Sequence, residues 1–416
     1  MRVLLLGSGA REHALAWKFS KSKRITGLYI APGNGGTAEI GENIPDVDIV
    51  DPKGLKKICA ENRINLIFVG PEAPLAAGVA DGLEDAGIPV IGPKKDAARL
   101  ESSKTFSKDF MVRHGIPTAD AKEFESESPF VEYIDTLEGK TVIKKSGLAA
   151  GKGVFESDDP KALKDFGRQV LAQDKLLVEE FLEGYEISVF ALFDGKSYLL
   201  FPPCADFKKA GEDDTGPNTG GMGAVCPVPG VGTRIMEEIE RTVIEPTFRG
   251  IREDGLDYTG VLYFGLMITS EGPKLLEYNV RLGDPEAQVL LPLIESDFCN
   301  LMEAVSEGKL DSFPLRISGK SAVGVVVASG GYPGEYKKGL PVKPLPSYSD
   351  GKRLIFHAAT DITEKGELVT GGGRCFTAVG VKDEILDARR AAYEAAEQIR
   401  FPGSWFRRDI GDKFLF

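Results

Sequence analysis

Two oxygen-bearing side chains and an arginine alternate along one predicted strand, Lys274 to Arg281. Residues two apart on a strand project from the same face. Glu277 and Asn279 therefore present a carboxylate and an amide oxygen side by side, which are ligands that Mg²⁺ prefers. Arg281 follows on that face, where it could hold a carboxylate or stabilise charge developing on an acyl phosphate. The alternative is an amphipathic strand with a solvated polar face.

A glycine-rich hairpin with flanking lysines could receive a polyphosphate. Lys144 ends the predicted strand Thr141–Lys144, and Lys152 lies within the small-residue segment Gly147–Gly153 that follows. Small residues let backbone N–H groups approach phosphate oxygens, and the ammonium groups add charge. The spacing is not that of a Walker A loop. A flexible hairpin without function is the alternative, and Lys104 taken alone could be a solvated helix lysine.

The first loop, Gly7–Glu12, begins like a dinucleotide-binding fingerprint but has Glu12 where the third glycine belongs. The next strand ends in Ala31 and Pro32 and offers no acid for a ribose. What remains is a tight turn with free amides at the start of a helix, together with Arg11. This arrangement suits one phosphate or another anion. The alternative is a turn that serves only strand–helix packing.

Two further segments have compositions that could serve a ligand. The strand and acids of Leu176–Glu186 could pair backbone groups with an adenine edge, and Glu186 could accept ribose hydroxyls. An amphipathic edge strand is the simpler explanation of that segment taken alone. The second segment, Asp206–Ala224, has so many small residues that we expect neither a helix nor an ordinary strand. Long ordered loops are often functional, whereas the alternative is a disordered surface loop.

The composition argues against several other kinds of site and partner. Among 416 residues there are three histidines, no two close in sequence, and five scattered cysteines without a C-x-x-C pair. We therefore expect no disulfide framework, zinc site or histidine-based metal site, and any metal should be oxygen-bound. The net charge of -12 disfavours nucleic acid as a partner. No apolar run approaches the roughly 20 residues that span a bilayer, so we expect a cytoplasmic protein.

Three groups of elements must position these residues. Residues 1–101 alternate apolar strands with helices, which predicts a parallel sheet covered on both faces, with ligands at the carboxyl ends of its strands. Residues 102–319 predict a connecting helix, a small α+β lobe at about 118–188, and a larger lobe with long strands. Residues 320–416 predict a smaller appended domain of Gly- and Pro-rich strands with a final helix at Glu384–Arg400.

Together, these motifs resemble the phosphoribosylamine–glycine ligases (GAR synthetases) of the ATP-grasp superfamily. The resemblance covers nearly the whole chain and is most specific in GPNTGGMGA and NVRLGDPE. The other segments that carry it are GAREHALAWK, APGNGGTA, VGPEAPL, ESSKTFSKDF, GLAAGKGV, VEEFLEGYE and ASGGYPGEY.

The resemblance implies an α/β and α+β multidomain fold: an N-terminal parallel-sheet (pre-ATP-grasp) domain, a two-lobed ATP-grasp core and a small β-rich C-terminal domain. It also implies a reaction of de novo purine synthesis. Glycine would be activated by ATP as glycyl phosphate, and the amine of 5-phosphoribosylamine would then displace phosphate to give glycinamide ribonucleotide. The implied partners are ATP, glycine and 5-phosphoribosylamine, with Mg²⁺ or Mn²⁺ as the metal.

The same resemblance implies a set of site residues. ATP would lie between the two lobes, and Glu277 with Asn279 would bind the metal. The residues expected to bind ATP are Lys104, Lys144, Gly147, Gly151, Lys152, Gly153, Glu179, Glu180, Phe181, Leu182 and Glu186. Those expected to bind the other substrates are Gly9, Ala10, Arg11, Glu12, Asn34, Pro71, Glu72, Asp206, Lys208, Asn218, Thr219, Gly220 and Arg281. Arg281, Lys144 and Asn218 are the expected catalytic residues.

Some positions depart from the family pattern, and other functions stay open. Lys145 stands where a small residue is expected, Phe207 replaces a His or Tyr, and the connection 172–175 is short. A ligase with a different amine acceptor would keep the ATP site but change the N-terminal pocket. A nicotinamide-dependent oxidoreductase is disfavoured by Glu12 and by the end of the second strand. A non-catalytic nucleotide-binding regulator is disfavoured by the Glu277 strand.

Overall fold

The computed structural model describes residues 1–148, 153–348 and 351–414. Its first part is a five-stranded parallel sheet of order β3-β2-β1-β4-β5. The elements are β1 (Arg2–Gly7), α1 (Ala10–Ser20), β2 (Gly27–Pro32), β3 (Glu42–Asn43), α2 (Pro52–Asn62), β4 (Leu66–Val69), α3 (Glu72–Ala77), α4 (Val79–Gly82) and β5 (Val90–Ile91).

Alternation along β1 explains why helices cover both faces of this sheet. Val3 and Leu5 belong to the same apolar cluster as α1, whereas Leu4 and Leu6 belong to the cluster that contains α2 and α3. Successive strand residues point to opposite faces, so a fully apolar strand needs a cover on each side. The predicted parallel sheet is confirmed.

The small lobe is an antiparallel sheet of order β6-β9-β7-β8 with two helices packed on it. The sequence pattern predicted three of its strands and one helix but not β6 or α7. Two helices, α5 (Arg99–Ser102) and α6 (Lys104–Arg113), lead into it. Its elements are β6 (Ala121–Phe124), α7 (Glu127–Ile134), β7 (Thr141–Lys145), β8 (Val154–Ser157), α8 (Pro160–Leu171) and β9 (Leu176–Glu180).

The large lobe is built on the antiparallel sheet β11-β10-β16-β17. The elements from 185 to 226 are β10 (Tyr185–Phe193), β11 (Tyr198–Leu200), β12 (Ala205–Asp206), β13 (Lys209–Gly211), β14 (Thr215–Asn218) and β15 (Gly223–Cys226). Those that follow are α9 (Thr233–Ile239), a π-helical turn (Glu240–Ile244), α10 (Glu245–Glu253), β16 (Gly260–Thr269), β17 (Gly272–Asn279), α11 (Glu286–Leu290) and α12 (Phe298–Ser306).

We expected no ordinary strand in the glycine-rich segment after Asp206. That expectation was wrong, because the segment contains three short strands, β13 to β15. β15 pairs with β12 on one side and with a strand of the C-terminal part on the other. At Gly223 a Cβ atom would lie 2.7 Å from the carbonyl oxygen of Gly324, so the small residue permits the close approach. Long-range pairing therefore overrides the weak local strand propensity of β15, whereas β13 and β14 pair with each other in a local hairpin.

The C-terminal part completes a five-stranded sheet of order β12-β15-β18-β22-β19. Because β12 and β15 come from the central part of the chain, this sheet joins both parts. The predicted boundary between residues 319 and 320 stays a prediction. Within the described residues, no helix has the length and apolar character needed to cross a membrane. The elements are β18 (Ser321–Ala328), β19 (Arg353–His357), β20 (Thr360–Ile362), β21 (Leu368–Thr370), β22 (Arg374–Lys382) and α13 (Ile385–Ala396).

A buried junction joins the N-terminal sheet to the C-terminal part. The Nδ2 atom of Asn34 donates hydrogen bonds to the carbonyl oxygens of Ser8 at 2.8 Å and His357 at 2.9 Å. Its Oδ1 atom accepts the amides of Gly36 and Thr37. Both donors and both lone pairs of this amide are thereby used. Asn34 holds the first loop and the C-terminal part in one fixed arrangement.

Two histidines pack together at the same junction. The backbone N–H of His357 donates to Nδ1 of His13 at 2.8 Å, so that nitrogen must carry no proton. Burial lowers the pKa of His357 to about 4, and burial together with the neighbouring His357 lowers the pKa of His13. The unfolded chain therefore binds these protons more tightly than the folded chain between about pH 4 and 6.5.

We expect the junction to lose stability as the pH falls. The contribution of His357 is fully present above pH 6.5 and is lost towards pH 4; a pKa lowered from 6.5 to about 4 corresponds to roughly 3 kcal/mol. His357→Gln should therefore flatten the dependence of the free energy of unfolding on pH, measured by urea unfolding between pH 4 and 8. His114→Gln, outside the junction, is the matched control. Equal acid sensitivity in wild type and His357→Gln would contradict this prediction.

Candidate active site

Charged side chains from three elements line one small cavity between the lobes. Lys104 begins α6, Lys144 lies in β7 of the small lobe, and Glu277 lies in β17 of the large lobe. The Nζ atom of Lys144 also donates to the carbonyl oxygen of Leu276 at 3.0 Å, which ties the small lobe to β17. The structure thus brings together the lysines and the carboxylate that the sequence patterns singled out separately.

Glu277 stays ionised at this position. Burial alone would raise the pKa of Glu277, but Lys104, Lys208 and Lys144 together outweigh burial and lower it. Among the described residues its carboxylate has no ion-pair partner within 4.0 Å, and Asn279 Nδ2 approaches its Oε1 atom at 3.5 Å. The carboxylate oxygens are therefore free for a cation.

This pair of residues fits a magnesium ion held mainly by phosphate. The described residues contain no group of three or more His, Cys, Asp or Glu side chains that could hold a metal by themselves. Glu277 and Asn279 supply two oxygen donors, and Asn279 Oδ1 accepts from Arg281 Nη2 at 3.1 Å. Mg²⁺ commonly takes one or two protein oxygens and completes its octahedron with phosphate and water.

Glu179 has a different side-chain environment from the one we expected. Instead of lining an adenine, its carboxylate bridges Lys144 at 2.7 Å and Lys108 at 3.0 Å. All three side chains are at least 91% buried. Burial would raise the pKa of Glu179, but the two lysines lower it. Strand alternation places Glu179 on the inner face of β9, so only its backbone remains available to an adenine edge. Lys108 had no signal in the sequence beyond its place in α6.

The remaining nucleotide-site candidates lie along the end of β9 and the start of β10. Glu180 is exposed, and its Oε1 atom accepts the amide of Asp120. The Nζ atom of Lys140 lies 4.0 Å from the centre of the Phe181 ring, and Leu182 is buried. Glu186 pairs with Lys208 at 2.5 Å, and this lysine, against the effect of burial, lowers the pKa of Glu186.

Only part of the glycine-rich hairpin is described. The amide of Gly147 donates to Asp174 Oδ2 at 2.9 Å, and the carbonyl oxygen of Gly153 accepts the amide of Lys145. Gly151 and Lys152 lie outside the described residues.

Arg281 lies between two carboxylates from different parts of the chain. Its Nη2 atom is 2.8 Å from Glu101 Oε1, and its Nε atom is 3.3 Å from Glu72 Oε2. Among the described residues this Nε atom makes no hydrogen bond of acceptable geometry. Burial would lower the pKa of Arg281, but Glu101 and Glu72 raise it, so the guanidinium stays charged. Glu72 follows Pro71 at the start of α3, whereas Glu101 was not predicted.

The first loop does not offer all the free amides that we expected. The Gly9 amide donates to Glu12 Oε2 at 2.6 Å, and Arg11 Nε donates to Glu12 Oε1 at 2.6 Å. Glu12, the third residue of α1, therefore reaches back to the amide of the N-cap residue Gly9, which explains why an acid stands in place of the third glycine. Arg11 Nη1 also donates to the carbonyl oxygen of Leu282 at 3.0 Å. The Arg11 amide lies against Asp284, so the groups that remain for a phosphate here are the Ala10 amide and the Arg11 guanidinium.

The structure also corrects the expected role of Asn34 in binding the substrate. Its side-chain amide is fully used by the junction described above, so it has no donor left for a phosphate. Its contribution to a phosphate site is to hold the carbonyl of Ser8, next to Gly9, in place.

One carboxylate that the sequence analysis missed lies against the first loop. Asp284 accepts from Gln288 Nε2 at 2.8 Å and from the backbone amide of Arg11. Burial would raise the pKa of Asp284, but Arg374 and Arg11 outweigh burial and lower it. Its position in the LGDPE motif could have indicated a functional role, because charged residues in loops are often functional.

The loop from Asp206 to Gly220 runs beside these groups. Burial raises the pKa of Asp206, with Glu186 adding to the effect against the opposing charge of Lys208. Thr219 donates both its amide and its hydroxyl to the carbonyl oxygen of Lys208. Asn218 ends β14, and the amide of Gly220 donates to Tyr332 Oη. These bonds order the loop, as its composition suggested.

Family models match three consecutive parts of the chain: the N domain of phosphoribosylglycinamide synthetase at 1–101, its ATP-grasp (A) domain at 102–287 and its C domain at 322–413. The chain belongs to the phosphoribosylglycinamide synthetase family. These matches agree with the fold and with the grouping of charged residues between the lobes.

Several proteins are similar to this chain over nearly the full length of both sequences. The phosphoribosylamine–glycine ligase of Vibrio cholerae is 43% identical over 99% of this chain and 98% of its own length. That of Chlorobaculum tepidum is 43% identical over the whole of both chains. The crystal structure of the Thermotoga maritima ligase has a TM-score of 0.86 at 35% identity, covering 99% of this chain and 100% of that one. The predicted family, fold class and assignment to the ATP-grasp ligases are confirmed.

We expect Glu179→Gln to destabilise this family member, because it leaves two buried ammonium groups without their shared anion. Breaking a buried ion pair costs about 3–5 kcal/mol. ATP should restore part of that loss, since its phosphates bring negative charge to Lys144. Thermal unfolding with and without ATP and Mg²⁺ measures both effects. Glu180→Gln, the same change at the exposed neighbouring residue, is the control; equal melting temperatures for the two variants would rule out the bridging role of Glu179.

Proposed function

We propose that this chain ligates glycine to 5-phosphoribosylamine, forming glycinamide ribonucleotide, ADP and phosphate. The observation that carries the proposal is the meeting of Lys104, Lys144 and Glu277 around one cavity, with Arg281 two residues beyond Asn279. Cations for a phosphate tail and oxygens for its metal come from opposite lobes. This is the arrangement that transfer of a phosphoryl group to a carboxylate requires.

In the first step, a carboxylate oxygen of glycine attacks the γ-phosphorus of ATP. The new P–O bond forms as the bond from the γ-phosphorus to the β–γ bridging oxygen breaks, which gives glycyl phosphate and ADP. Lys104 and Lys144 counter the charge of the phosphates, and Arg281 orients the carboxylate. Mg²⁺ or Mn²⁺ at Glu277 and Asn279 would neutralise phosphate oxygens and hold them in line.

In the second step, the amine of phosphoribosylamine attacks the carbonyl carbon of glycyl phosphate. The C–N bond forms, the bond between the carbonyl carbon and the phosphate oxygen breaks, and the leaving phosphate takes up the proton that the amine loses. Asp284, kept ionised beside Arg11, is placed to receive the amine. The substrate's phosphate would lie at the start of α1, where the Arg11 guanidinium and the Ala10 amide favour an anion. The Asn218–Gly220 loop would cover the acyl phosphate.

Closure of the small lobe has a chemical purpose in this scheme. An acyl phosphate is hydrolysed by water, so the site must exclude solvent before the intermediate forms. The bond from Lys144 to the carbonyl of Leu276 already links the moving lobe to β17. The direct test is release of ADP that requires both glycine and phosphoribosylamine. Binding of ATP without turnover with any amine acceptor would instead identify a regulator.

Glu277→Ala should abolish turnover while leaving the fold intact, because one metal ligand is lost. ADP release is measured over a range of Mg²⁺ concentrations, with circular dichroism to check folding. Glu271→Ala, in the turn of the same hairpin and 76% exposed, is the matched control and should keep wild-type activity. Wild-type activity of Glu277→Ala at ordinary Mg²⁺ would exclude this metal site.

Arg11→Ala should raise the KM for phosphoribosylamine much more than the KM for ATP. Loss of a charged phosphate contact costs about 1.5–3 kcal/mol, or roughly tenfold or more in affinity. Arg24→Ala, an exposed arginine of the same domain, serves as the control. An unchanged KM for phosphoribosylamine would remove Arg11 from the phosphate site.

A further inference from the structure

Arg374, at the start of β22, reaches from the C-terminal part into the centre of the site. Its Nη1 atom donates to the carbonyl oxygen of Gly220 at 2.5 Å and to that of Asp284 at 2.8 Å, with Gly221 further away at 3.3 Å. Its Nη2 atom lies 3.4 Å from Asp284 Oδ1. One guanidinium therefore joins the glycine-rich loop to the LGDPE turn.

A second side chain of the C-terminal part binds the same residue, Gly220. The hydroxyl of Tyr332 accepts the amide of Gly220 at 3.1 Å. Both backbone groups of Gly220, its N–H and its C=O, are thus bound by residues that follow the ATP-grasp core in sequence. A glycine-rich turn has few side-chain contacts of its own, so these two bonds add to those of Thr219 in fixing its position.

The other partners of Asp284 show what Arg374 adds. Gln288 and the Arg11 amide hold the carboxylate from the core and from the first loop. Arg374 contacts the Asp284 carboxylate from the C-terminal part of the chain. The carboxylate therefore lies where all three parts meet, between the start of α1 and the turn at Gly220.

We propose that Arg374 is a positioning residue for the amine-transfer step. It fixes the Gly220–Gly221 turn against Asp284, so that the pocket for the attacking amine is complete only when the C-terminal part is docked. The inference rests on the proposed function, because it assigns the amine to that pocket. A planar guanidinium can bind carbonyl and carboxylate oxygens of two segments at once, which a lysine ammonium does less well.

The test compares Arg374→Met and Arg374→Lys with wild type in ADP release, varying one substrate at a time. We expect the KM for phosphoribosylamine to rise about tenfold or more in Arg374→Met, with partial recovery in Arg374→Lys, while the KM for ATP changes less than about twofold. Arg390→Met, an exposed arginine on α13, is the matched control and should behave as wild type.

The outcomes separate this inference from the proposed function. If wild type releases no ADP with glycine and phosphoribosylamine, the proposed function and this inference both fail. If wild type is active and Arg374→Met keeps its KM for phosphoribosylamine, only the inference fails. Parallel rises in the KM of all three substrates would show a merely structural role and would also overturn it.

A variant that leaves the fold untouched guards against misfolding of Arg374→Met. Tyr332→Phe removes only the hydroxyl that accepts the Gly220 amide. It should raise the KM for phosphoribosylamine by about two- to fivefold, leaving the KM for ATP and the melting temperature unchanged. An unchanged KM for phosphoribosylamine in this folded variant would overturn the inference.

Discussion

The carboxylate of Glu179, shared by Lys108 of α6 and Lys144 of β7, is the interaction on which the charged cavity between the lobes depends. Burying ammonium groups is costly unless an anion accompanies them, and Glu179 supplies that anion before any nucleotide is present. Lys144 thereby lies close to β17 with an anionic partner beside it. A phosphate tail entering the cavity meets cations already in place, so less reorganisation accompanies binding.

Buried charges are also paired with opposite charges around Arg281 and Asp284. Arg281 is held between Glu72 at the start of α3 and Glu101 in α5, and Asp284 lies between Arg11 and Arg374. Opposite charges from separate parts of the chain compensate one another at each contact. The junction at Asn34 holds the N-terminal and C-terminal parts together in the same way, through buried hydrogen bonds between remote segments.

Much of the fold followed from local pattern. The apolar runs at Val3–Leu6 and Leu66–Val69 predicted buried parallel strands, because only a sheet covered on both faces accepts continuous apolar residues. The strands β13 to β15 escaped prediction because their glycines have low strand propensity. β13 and β14 pair with each other in a local hairpin, whereas β15 is held by β18, a strand far away in the chain. Residues Glu101 and Lys108 were missed for a related reason, since each acts through a partner remote in sequence.

By itself, the sequence determined the kind of chemistry: the alternation of Glu277, Asn279 and Arg281 on one strand face, the lysines near glycines, and the family motifs around them. Only the tertiary structure decided which groups are available to a ligand. Glu12, Asn34 and Glu179 look like ligand-binding residues in the sequence, yet their side chains are engaged by other parts of the protein. The physical reason is that a polar group's hydrogen-bonding capacity is finite, and its partners are set by contacts between segments distant in the chain.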